Sequence, residues 1–164
     1  MTSRQEPENL FDNTGAPISR MPDSVRAATN AIIFNENGEV LLQKRADNGW
    51  WGLPGGGVDI GESVEQGAIR EAWEETGLNV TVKRLVGIYS DPRAYNIMSY
   101  PDGSLVQYVT IAFECERQSG DLQISDESTD IGYFPTDALP EKTALSHITR
   151  IQHALDNRTE PFIG

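Results

Sequence analysis

The sequence predicts a single domain of the α+β class. Stretches rich in β-branched and apolar residues surround one central segment with helical periodicity, and a second helical segment lies near the end of the chain. Strands that are grouped around a helix, rather than alternating with helices one by one, favour α+β packing. The length of 164 residues suffices for one domain with its own hydrophobic core.

The first 24 residues differ in composition from the rest of the chain. They are polar, are interrupted by three prolines and show no sustained periodicity. We expect residues 1–24 to form an arm that is either disordered or packed on the domain. The domain itself is expected over residues 25–157, followed by a tail of residues 158–164.

Two strands are expected directly after the arm. Residues 26–34 are largely apolar, residues 35–38 form the turn signal Asn-Glu-Asn-Gly, and residues 39–45 return as a second strand. This arrangement predicts a β-hairpin. Further strands are expected at residues 80–89 and 105–116, and we assign the long loop between them to substrate selection.

The central helix carries signals for both of its ends. Ser63 and Gln66 form a capping-box pattern, in which each side chain can bond the backbone of the other residue. Gly77 is suited to the left-handed conformation that ends a helix. Apolar residues at helical spacing are expected to face the core: Ala68, Ile69, Ala72 and Trp73.

Three glutamates lie together on this helix. Glu71, Glu74 and Glu75 occupy positions i, i+3 and i+4, so their carboxylates project from one side and repel one another. Arg70 is the only basic residue between positions 63 and 78 and cannot neutralise all three. A divalent cation such as Mg²⁺ or Mn²⁺ would do so, and a solvated stripe of glutamates is the alternative interpretation.

The segment before the helix completes a longer motif. A glycine-rich run at residues 53–57 suits a backbone that approaches a ligand or a metal closely. Gly56, five residues, Glu62, seven residues and then the sequence REAWEETGL at residues 70–78 resemble the full Nudix box. Residues 51–56 resemble the usual lead-in of that family, and the order of the predicted elements fits the family along most of the chain.

The resemblance to the Nudix family implies a fold and a reaction. The fold would be an α/β/α sandwich with a mixed β-sheet. The enzyme would use a divalent metal to hydrolyse the pyrophosphate linkage of a nucleoside diphosphate joined to another moiety X. Nucleoside triphosphates, ADP-ribose, nucleotide sugars and dinucleoside polyphosphates are such compounds. A non-catalytic nucleotide-sensing module is the alternative, but such modules often lose box glutamates, and all are present here.

The resemblance also assigns a metal site to the box. Its ligands would be the carbonyl of Gly56 and the carboxylates of Glu71, Glu74 and Glu75. The ions would be Mg²⁺, with Mn²⁺ as a substitute. Arg70 would hold a glutamate in place rather than touch the substrate.

The general base is left open between three glutamates. Members of the family take it either from the box helix, here Glu71 or Glu74, or from a later loop. In this chain an acidic segment at residues 126–130 precedes an apolar strand, and Glu127 is the candidate from that segment. The candidate catalytic residues are therefore these three glutamates together with Arg70.

Candidate substrate-binding residues lie outside the box. Arg45 ends a predicted strand and could meet a substrate phosphate, with a solvated cation as an equal alternative. Trp50 is a candidate for stacking on a nucleobase, whereas Trp51 is expected to pack against the helix. Tyr95 and Pro92 lie in the long loop at spacings close to those that mark substrate preference in the family, but neither assigns the substrate.

Composition limits the binding partners and the cellular location expected for the protein. The formal charge of −12 speaks against duplex nucleic acid, because the sequence has no basic stripe for phosphate contacts. No apolar run reaches the roughly 18 to 20 residues of a membrane span, so no membrane contact and a cytoplasmic location are expected. A homodimer would fit the family, but the sequence identifies no interface.

Three residues with reactive side chains are expected to be structural. Cys115 is the only cysteine and lies in an apolar strand pattern, which predicts a buried thiol. A final helix is expected over residues 143–156, and we assign surface or capping roles to His147 and His153 on it.

Overall fold

The computed structural model describes residues 9–164. In chain order, its strands are β1 (Ser24–Ile33), β2 (Val40–Arg45), β3 (Trp51–Gly52), β4 (Gly55–Gly57), β5 (Asn79–Tyr89), β6 (Ile97–Ser99), β7 (Leu105–Ser119), β8 (Ser128–Phe134) and β9 (Phe162–Ile163). Helix α1 (Val64–Thr76) lies between β4 and β5, and helix α2 (Leu145–Leu155) lies between β8 and β9. A 3₁₀ turn covers Pro92–Ala94.

The strands form two sheets. The larger sheet has the order β4-β1-β7-β5-β9, with β6 added on β7, and the smaller sheet has the order β3-β2-β8. β1 runs parallel to β7 and β5 runs parallel to β9, while the other pairs are antiparallel. The predicted α+β class and the mixed sheet are confirmed.

The hairpin predicted from residues 26–45 is wrong. β1 pairs with β7 along all ten of its residues, whereas β2 pairs with β3 and β8 in the other sheet. An isolated bridge joins Phe34 to Val40 between the two strands. The turn at residues 35–38 therefore leads the chain from one sheet to the other, because each strand finds a longer partner elsewhere.

Neighbouring residues of β1 face opposite layers of the fold. Ile33 packs in a cluster with Ala72 of α1, while Ile32 packs in a separate cluster with Ile151 of α2. All four are at most 1% exposed. Because successive strand residues point to opposite faces, the two helices cover opposite sides of the larger sheet. The expected α/β/α sandwich is confirmed.

Helix α1 begins and ends as the sequence predicts. The Ser63 hydroxyl accepts a hydrogen bond from the Gln66 amide at 3.1 Å, and the Gln66 side chain accepts one from the Ser63 amide at 2.8 Å. Gly77 takes left-handed backbone angles, with a φ of 73°, and its N–H donates to the Trp73 carbonyl. These local bonds fix the ends of the helix that carries the glutamates.

Trp73 does not face the core, contrary to the prediction. Its side chain is 52% exposed, whereas Ala68, Ala72 and Thr76 are fully buried. Residues four apart form one stripe along a helix. The sheet covers this stripe, and Trp73 lies one position past it.

Both ends of the described chain lie on the domain. Leu10 and Ile18 are buried in a small cluster with Ile97 of β6. Residues 1–8 of the predicted arm lie outside the described residues. At the other end, β9 adds to the edge of β5, so the predicted tail contains a strand too short to be recognised from the sequence.

The structure bears on the expectations that Cys115 is not a nucleophile and that the chain has no membrane span. Cys115 is buried in the cluster beneath α1, as predicted, and burial raises the pKa of its thiol to about 12. The thiol is therefore protonated at neutral pH and is a poor nucleophile. None of the helices formed by residues 9–164 is long and apolar enough to cross a membrane.

Candidate active site

A cavity of about 400 Å³ is lined by residues from both sheets, both helices and the segment between β5 and β7. This volume lies in the range of pockets that take small ligands. The residues predicted for the site that line it are Gly56, Glu71, Glu74, Glu75, Arg45, Tyr95 and Glu127. Arg70 and Trp50 are not part of the lining.

Glu75 is a buried carboxylate at the wall of the cavity, with 7% of its surface exposed. Its Oε2 atom accepts a hydrogen bond from the Gly55 amide at 2.7 Å and another from the Gln43 side chain at 2.5 Å. Gln43 is fixed in turn by the Ser128 hydroxyl, which donates to its Oε1 atom at 2.8 Å. Burial, with a smaller contribution from the charge of Glu71, raises the pKa of Glu75 to about 7.

Gly56 lies directly against Glu71. A Cβ atom at this position would come within 2.7 Å of the Glu71 Oε1 atom. The absence of a side chain therefore leaves room for the carboxylate beside the backbone of β4. The Glu71 side chain is 14% exposed, and burial raises its pKa. Backbone and a desolvated carboxylate thus form one wall of the site.

Arg70 donates hydrogen bonds to four groups around the box glutamates. It donates to Glu62 from Nε at 3.0 Å and from Nη2 at 2.6 Å, and its Nη1 donates to Glu71 at 2.8 Å and to Glu74 at 3.0 Å. Nη2 also donates to the Gly57 carbonyl at 3.0 Å. The hydrogen bonds from Arg70 lower the pKa of Glu62 to about 2. Arg70 therefore joins α1 to the glycine-rich segment and orients two of the three box glutamates.

Replacing Arg70 with alanine should lower turnover about 10- to 100-fold, which is typical of residues that orient metal ligands. The variant should also need more Mg²⁺ for half-maximal activity, because Glu71 and Glu74 lose the contact that fixes them. Steady-state rates over a range of Mg²⁺ concentrations measure both effects. Arg117→Ala removes an arginine that is 50% exposed and serves as the control. Equal rates in the two variants would contradict the orienting role.

Arg45 and Glu127 approach the cavity from the smaller sheet. Arg45 ends β2 and forms an ion pair with Asp47, with 2.6 Å between Nη2 and Oδ2. The Ala46 amide donates to the Glu127 carbonyl at 2.8 Å, which fixes the acidic loop beside β2. A smaller groove next to the cavity is lined by the three box glutamates, Ser125, Asp126 and Glu127. The structure thus brings the predicted loop glutamate to the box helix.

The two tryptophans take different positions from those predicted. Trp50 is not among the residues that line the cavity, whereas Trp51 lines it. Trp51 packs edge-on against Phe134, with 4.8 Å between ring centroids, and not against α1. The reason is that β3 pairs with β2 and bridges to Thr143, which holds Trp51 on the α2 side of the fold.

His147 is not a surface residue, contrary to the prediction. Its Nδ1 atom accepts a hydrogen bond from the Leu53 amide at 2.8 Å, and the residue lines the cavity. Because Nδ1 is an acceptor, the proton of the neutral ring is on Nε2. A Cβ atom on Gly52 would come within 2.8 Å of the ring, so α2 lies close against the lead-in to the box. His153 likewise lies within 3.0 Å of the Tyr89 hydroxyl.

Acidification should cost stability through His147. Burial, followed by the charges of Arg150 and Arg45, lowers the pKa of His147 well below 6.5. Below pH 6.5 the folded state therefore binds fewer protons at His147 than the unfolded chain does, and the contribution of His147 to the free energy of unfolding decreases as the pH falls toward its folded-state pKa. The contribution of this residue reaches up to about 1.4 kcal/mol at pH 5.5.

Denaturant unfolding at pH 7.5 and pH 5.5 measures this effect. The His147→Gln variant lacks the titrating ring, and its free energy of unfolding at pH 5.5, relative to pH 7.5, should be higher than that of the unmodified protein. Glu75, whose pKa is raised to about 7, contributes in the opposite direction in both proteins, so the difference between them isolates His147. Changes of equal size in both proteins would show that His147 does not contribute.

The donor atoms of the site suit a divalent cation of the Mg²⁺ type. Carboxylate and carbonyl oxygens are hard ligands, which such ions prefer. Within residues 9–164, no three His, Cys, Asp or Glu side chains lie close enough together to hold a metal ion as they stand. Arg70 binds Glu71 and Glu74, and amide groups bind Glu75. The donors therefore match the metal in chemical type, and each of these carboxylates accepts hydrogen bonds from N–H groups.

Sequence reasoning misses several buried polar residues of the cavity, among them Asn30, Gln43, Asn96 and Arg150. Asn30 leaves a signal in the sequence, because it interrupts the apolar part of β1. A polar residue in a core pattern is costly unless it is bonded, which makes such an interruption a candidate for a role. Gln43 begins the polar end of β2, Arg150 lies on an amphipathic helix and Asn96 lies in a loop, so these three leave no such signal.

The chain is similar in sequence to known proteins. The family model described as NUDIX domain matches residues 24–153. A MutT-like protein of Streptomyces ambofaciens is 34% identical over 125 residues, which are 76% of this chain and 73% of that protein. An ADP-ribose pyrophosphatase of Methanocaldococcus jannaschii is 37% identical over 123 residues, which are 73% of this chain and 67% of that protein.

Solved structures share the fold. The crystal structure of an ADP-ribose pyrophosphatase from Streptococcus suis superposes with a TM-score of 0.62 at 26% identity, covering 84% of this chain and 96% of that one. The crystal structure of a MutT protein from Methanosarcina mazei superposes with a TM-score of 0.68 at 24% identity, covering 85% of this chain and 99% of that one.

Proposed function

Because this chain belongs to the Nudix family and is a pyrophosphohydrolase, we propose that it hydrolyses the pyrophosphate linkage of a small nucleoside diphosphate joined to a moiety X. The reaction would depend on Mg²⁺ bound at the glutamates of α1. ADP-ribose is the first candidate substrate, since a sequence relative and a structural relative carry the name ADP-ribose pyrophosphatase.

One observation carries this proposal, the environment of Glu75. This carboxylate is buried beside Glu71, and its hydrogen-bond partners among residues 9–164 are the neutral amides of Gly55 and Gln43. A buried carboxylate without a compensating charge is unfavourable. A divalent cation bound by Glu71 and Glu75 would supply that charge, and the cavity beside them has room for a nucleotide.

Each group of the box then has a part in the reaction. Glu71, Glu74, Glu75 and the Gly56 carbonyl would hold the metal, while Arg70 keeps Glu71 and Glu74 in position. The bound metal supplies a lowered pKa for the attacking water and offsets charge on the leaving phosphate oxygen. The remaining residues of the cavity bind and orient the substrate.

The proton of the attacking water needs a carboxylate that reaches the cavity. Glu74 is 56% exposed and Glu127 is exposed, whereas Glu71 is largely enclosed and bonded to Arg70. All three border the same groove and stay candidates for the general base.

Substrate binding outside the box would involve the rim of the cavity. Arg45 and Tyr95 line it, so a phosphate contact from Arg45 and a ring contact from Tyr95 are proposed for them. For stacking on the nucleobase, Trp51 is better placed than Trp50, because it is the tryptophan that lines the cavity.

A substrate panel tests the proposal. Release of phosphate-containing products is measured from nucleoside triphosphates, ADP-ribose, nucleotide sugars and dinucleoside polyphosphates, with Mg²⁺ and with excess chelator. Chelator-sensitive turnover of one class is the expected result and identifies X. If nothing is hydrolysed while one compound raises the melting temperature, the chain is a nucleotide-sensing module instead.

A further inference from the structure

Arg150 is a buried cation at the wall of the cavity, with 3% of its surface exposed. Its Nη1 donates to Oδ1 of Asn30 at 2.5 Å, and its Nη2 donates to Oδ1 of Asn96 at 2.8 Å. The guanidinium carbon lies 5.2 Å from the centre of the Tyr89 ring. These partners are neutral, and within residues 9–164 no carboxylate forms an ion pair with Arg150.

Polar atoms without a partner mark the same wall. Among the described side chains, two buried atoms lack a hydrogen bond, Nε of Arg150 and Oγ1 of Thr29, and both residues line the cavity. Burial lowers the pKa of Arg150 to about 10, so the guanidinium is still charged at neutral pH. A desolvated cation without a counter-charge is unfavourable by itself. This wall is therefore suited to a ligand that brings acceptor atoms and negative charge.

The two asparagines bound to Arg150 differ in their amide nitrogens. Nδ2 of Asn96 donates to the Asp91 carbonyl at 2.9 Å. For Nδ2 of Asn30, the structure from residue 9 onward provides no hydrogen-bond partner. Because a guanidinium can only donate, Arg150 fixes the oxygen of Asn30 on its own side and the nitrogen on the other. Asn30 therefore offers free N–H groups in a fixed direction.

Asn30 lies next to the acidic end of the cavity. It is opposite Gly55 across the β1–β4 pair, and a Cβ atom on Gly55 would come within 2.6 Å of Nδ2 of Asn30. The amide of Gly55 is in turn bonded to Glu75. The free N–H groups are thus separated from a carboxylate of the box by the backbone of a single residue, beside the place where the pyrophosphate would lie.

We propose that Asn30 donates from Nδ2 to a phosphate oxygen of the substrate and that Arg150 is its positioning residue. This inference rests on the proposed function, since it takes the pyrophosphate as the ligand. Arg150 orients and polarises the Asn30 amide, and the charge of the phosphate compensates the buried guanidinium. Hydrogen bonds to an ionised acceptor are about twice as strong as neutral ones, so one amide contributes measurably to affinity.

The phosphate could come from either half of the substrate. In ADP-ribose, one phosphate belongs to AMP and the other to ribose 5-phosphate, and both offer the same acceptor chemistry. Binding of AMP and of ribose 5-phosphate in excess EDTA separates the two halves. Because metal is removed, neither ligand is held through the glutamates.

Ligand titrations followed by the melting temperature of the full chain provide the test. We expect AMP or ribose 5-phosphate to raise the melting temperature, and the affinity to fall about 10- to 100-fold in Asn30→Ala. Asn30→Asp should bind as weakly, because its carboxylate satisfies Arg150 and removes the N–H donors. Asn79→Asp makes the same charge change at an exposed position of β5 and should bind like the unmodified protein.

Each result of these titrations either supports the proposed role of Asn30 or overturns it. Weakened binding of AMP places the nucleoside-side phosphate at Asn30, and weakened binding of ribose 5-phosphate places the phosphate of X there. Unchanged affinities in either folded Asn30 variant overturn the proposal, as does the lack of a shift from both ligands in the unmodified protein. A merely structural clamp would change the melting temperature of the free variant without changing ligand affinity.

Kinetics separate this inference from the proposed function. If ADP-ribose is hydrolysed, Asn30→Ala should raise KM about 10-fold or more with a much smaller change in kcat, since the bond is already made in the ground state. Turnover without Asn30-dependent binding overturns the role proposed for Asn30 and leaves the proposed function standing. Asn30-dependent binding without turnover of any panel compound overturns the proposed function and leaves the role of Asn30 standing.

Discussion

Glu75→Gln should reduce Mg²⁺-dependent turnover by about 100-fold or more while the fold stays intact. The substitution keeps the volume and leaves an oxygen to accept from the Gly55 amide and the Gln43 side chain. It removes the negative charge that a metal bound at the proposed site would need. Since burial disfavours that charge and raises the pKa of the carboxyl group to about 7, its loss should leave the melting temperature unchanged or higher.

The matched control for this prediction is Glu65→Gln. Glu65 lies in the first turn of the same helix and is exposed, so the same chemical change is made away from the cavity. Rates over a Mg²⁺ titration, together with thermal melting, measure both properties. Near-normal Mg²⁺-dependent turnover in Glu75→Gln would remove Glu75 from the set of metal ligands.

Gly55→Ala should destabilise the protein by about 3 kcal/mol or more and abolish activity. The φ of Gly55 is +150°, which side chains rarely tolerate, and a Cβ atom there would overlap the carbonyl oxygen of Thr29. The same atom would lie 2.9 Å from Cα of Asn30. To relieve this overlap, β4 must move away from β1, and the Gly55 amide then leaves Glu75.

Gly57→Ala is the control within the same strand. A Cβ atom at Gly57 has no neighbour within 4 Å, so the substitution should change the free energy of unfolding by less than about 0.5 kcal/mol. Urea unfolding of both variants gives the comparison. Similar stabilities for the two alanine variants would show that β4 has room beside β1 and would contradict the close approach.

The sequence predicts those parts of the site that depend on residues close to one another in the chain. The capping box of Ser63 and Gln66, the left-handed Gly77 and the shared side of Glu71 and Glu75 all depend on residues within about one helical turn of each other. Helix geometry alone places such residues. The same reasoning reaches Arg70, whose partners Glu71 and Glu74 are its near neighbours on α1.

The parts that the sequence does not predict depend on distant contacts. β1 leaves its neighbour β2 for β7, a choice between strand partners that no local signal decides. The bond from Arg150 to Asn30 spans 120 residues, and the bond from Leu53 to His147 spans 94. A histidine or arginine on an amphipathic helix looks like a surface residue until the partner on the other element is known.

The anchoring of the lead-in by α2 has a consequence for the order in which the protein becomes active during synthesis. Seventy-five residues separate Glu75 from Arg150, which at about 5 to 20 residues per second corresponds to roughly 4 to 15 s of translation. Throughout that interval the nascent chain has the glutamates of the box without the opposite wall of the cavity. A chain whose last helix is still inside the ribosomal exit tunnel should therefore be inert toward nucleotides. It should become active only when α2 packs onto the domain and completes the cavity.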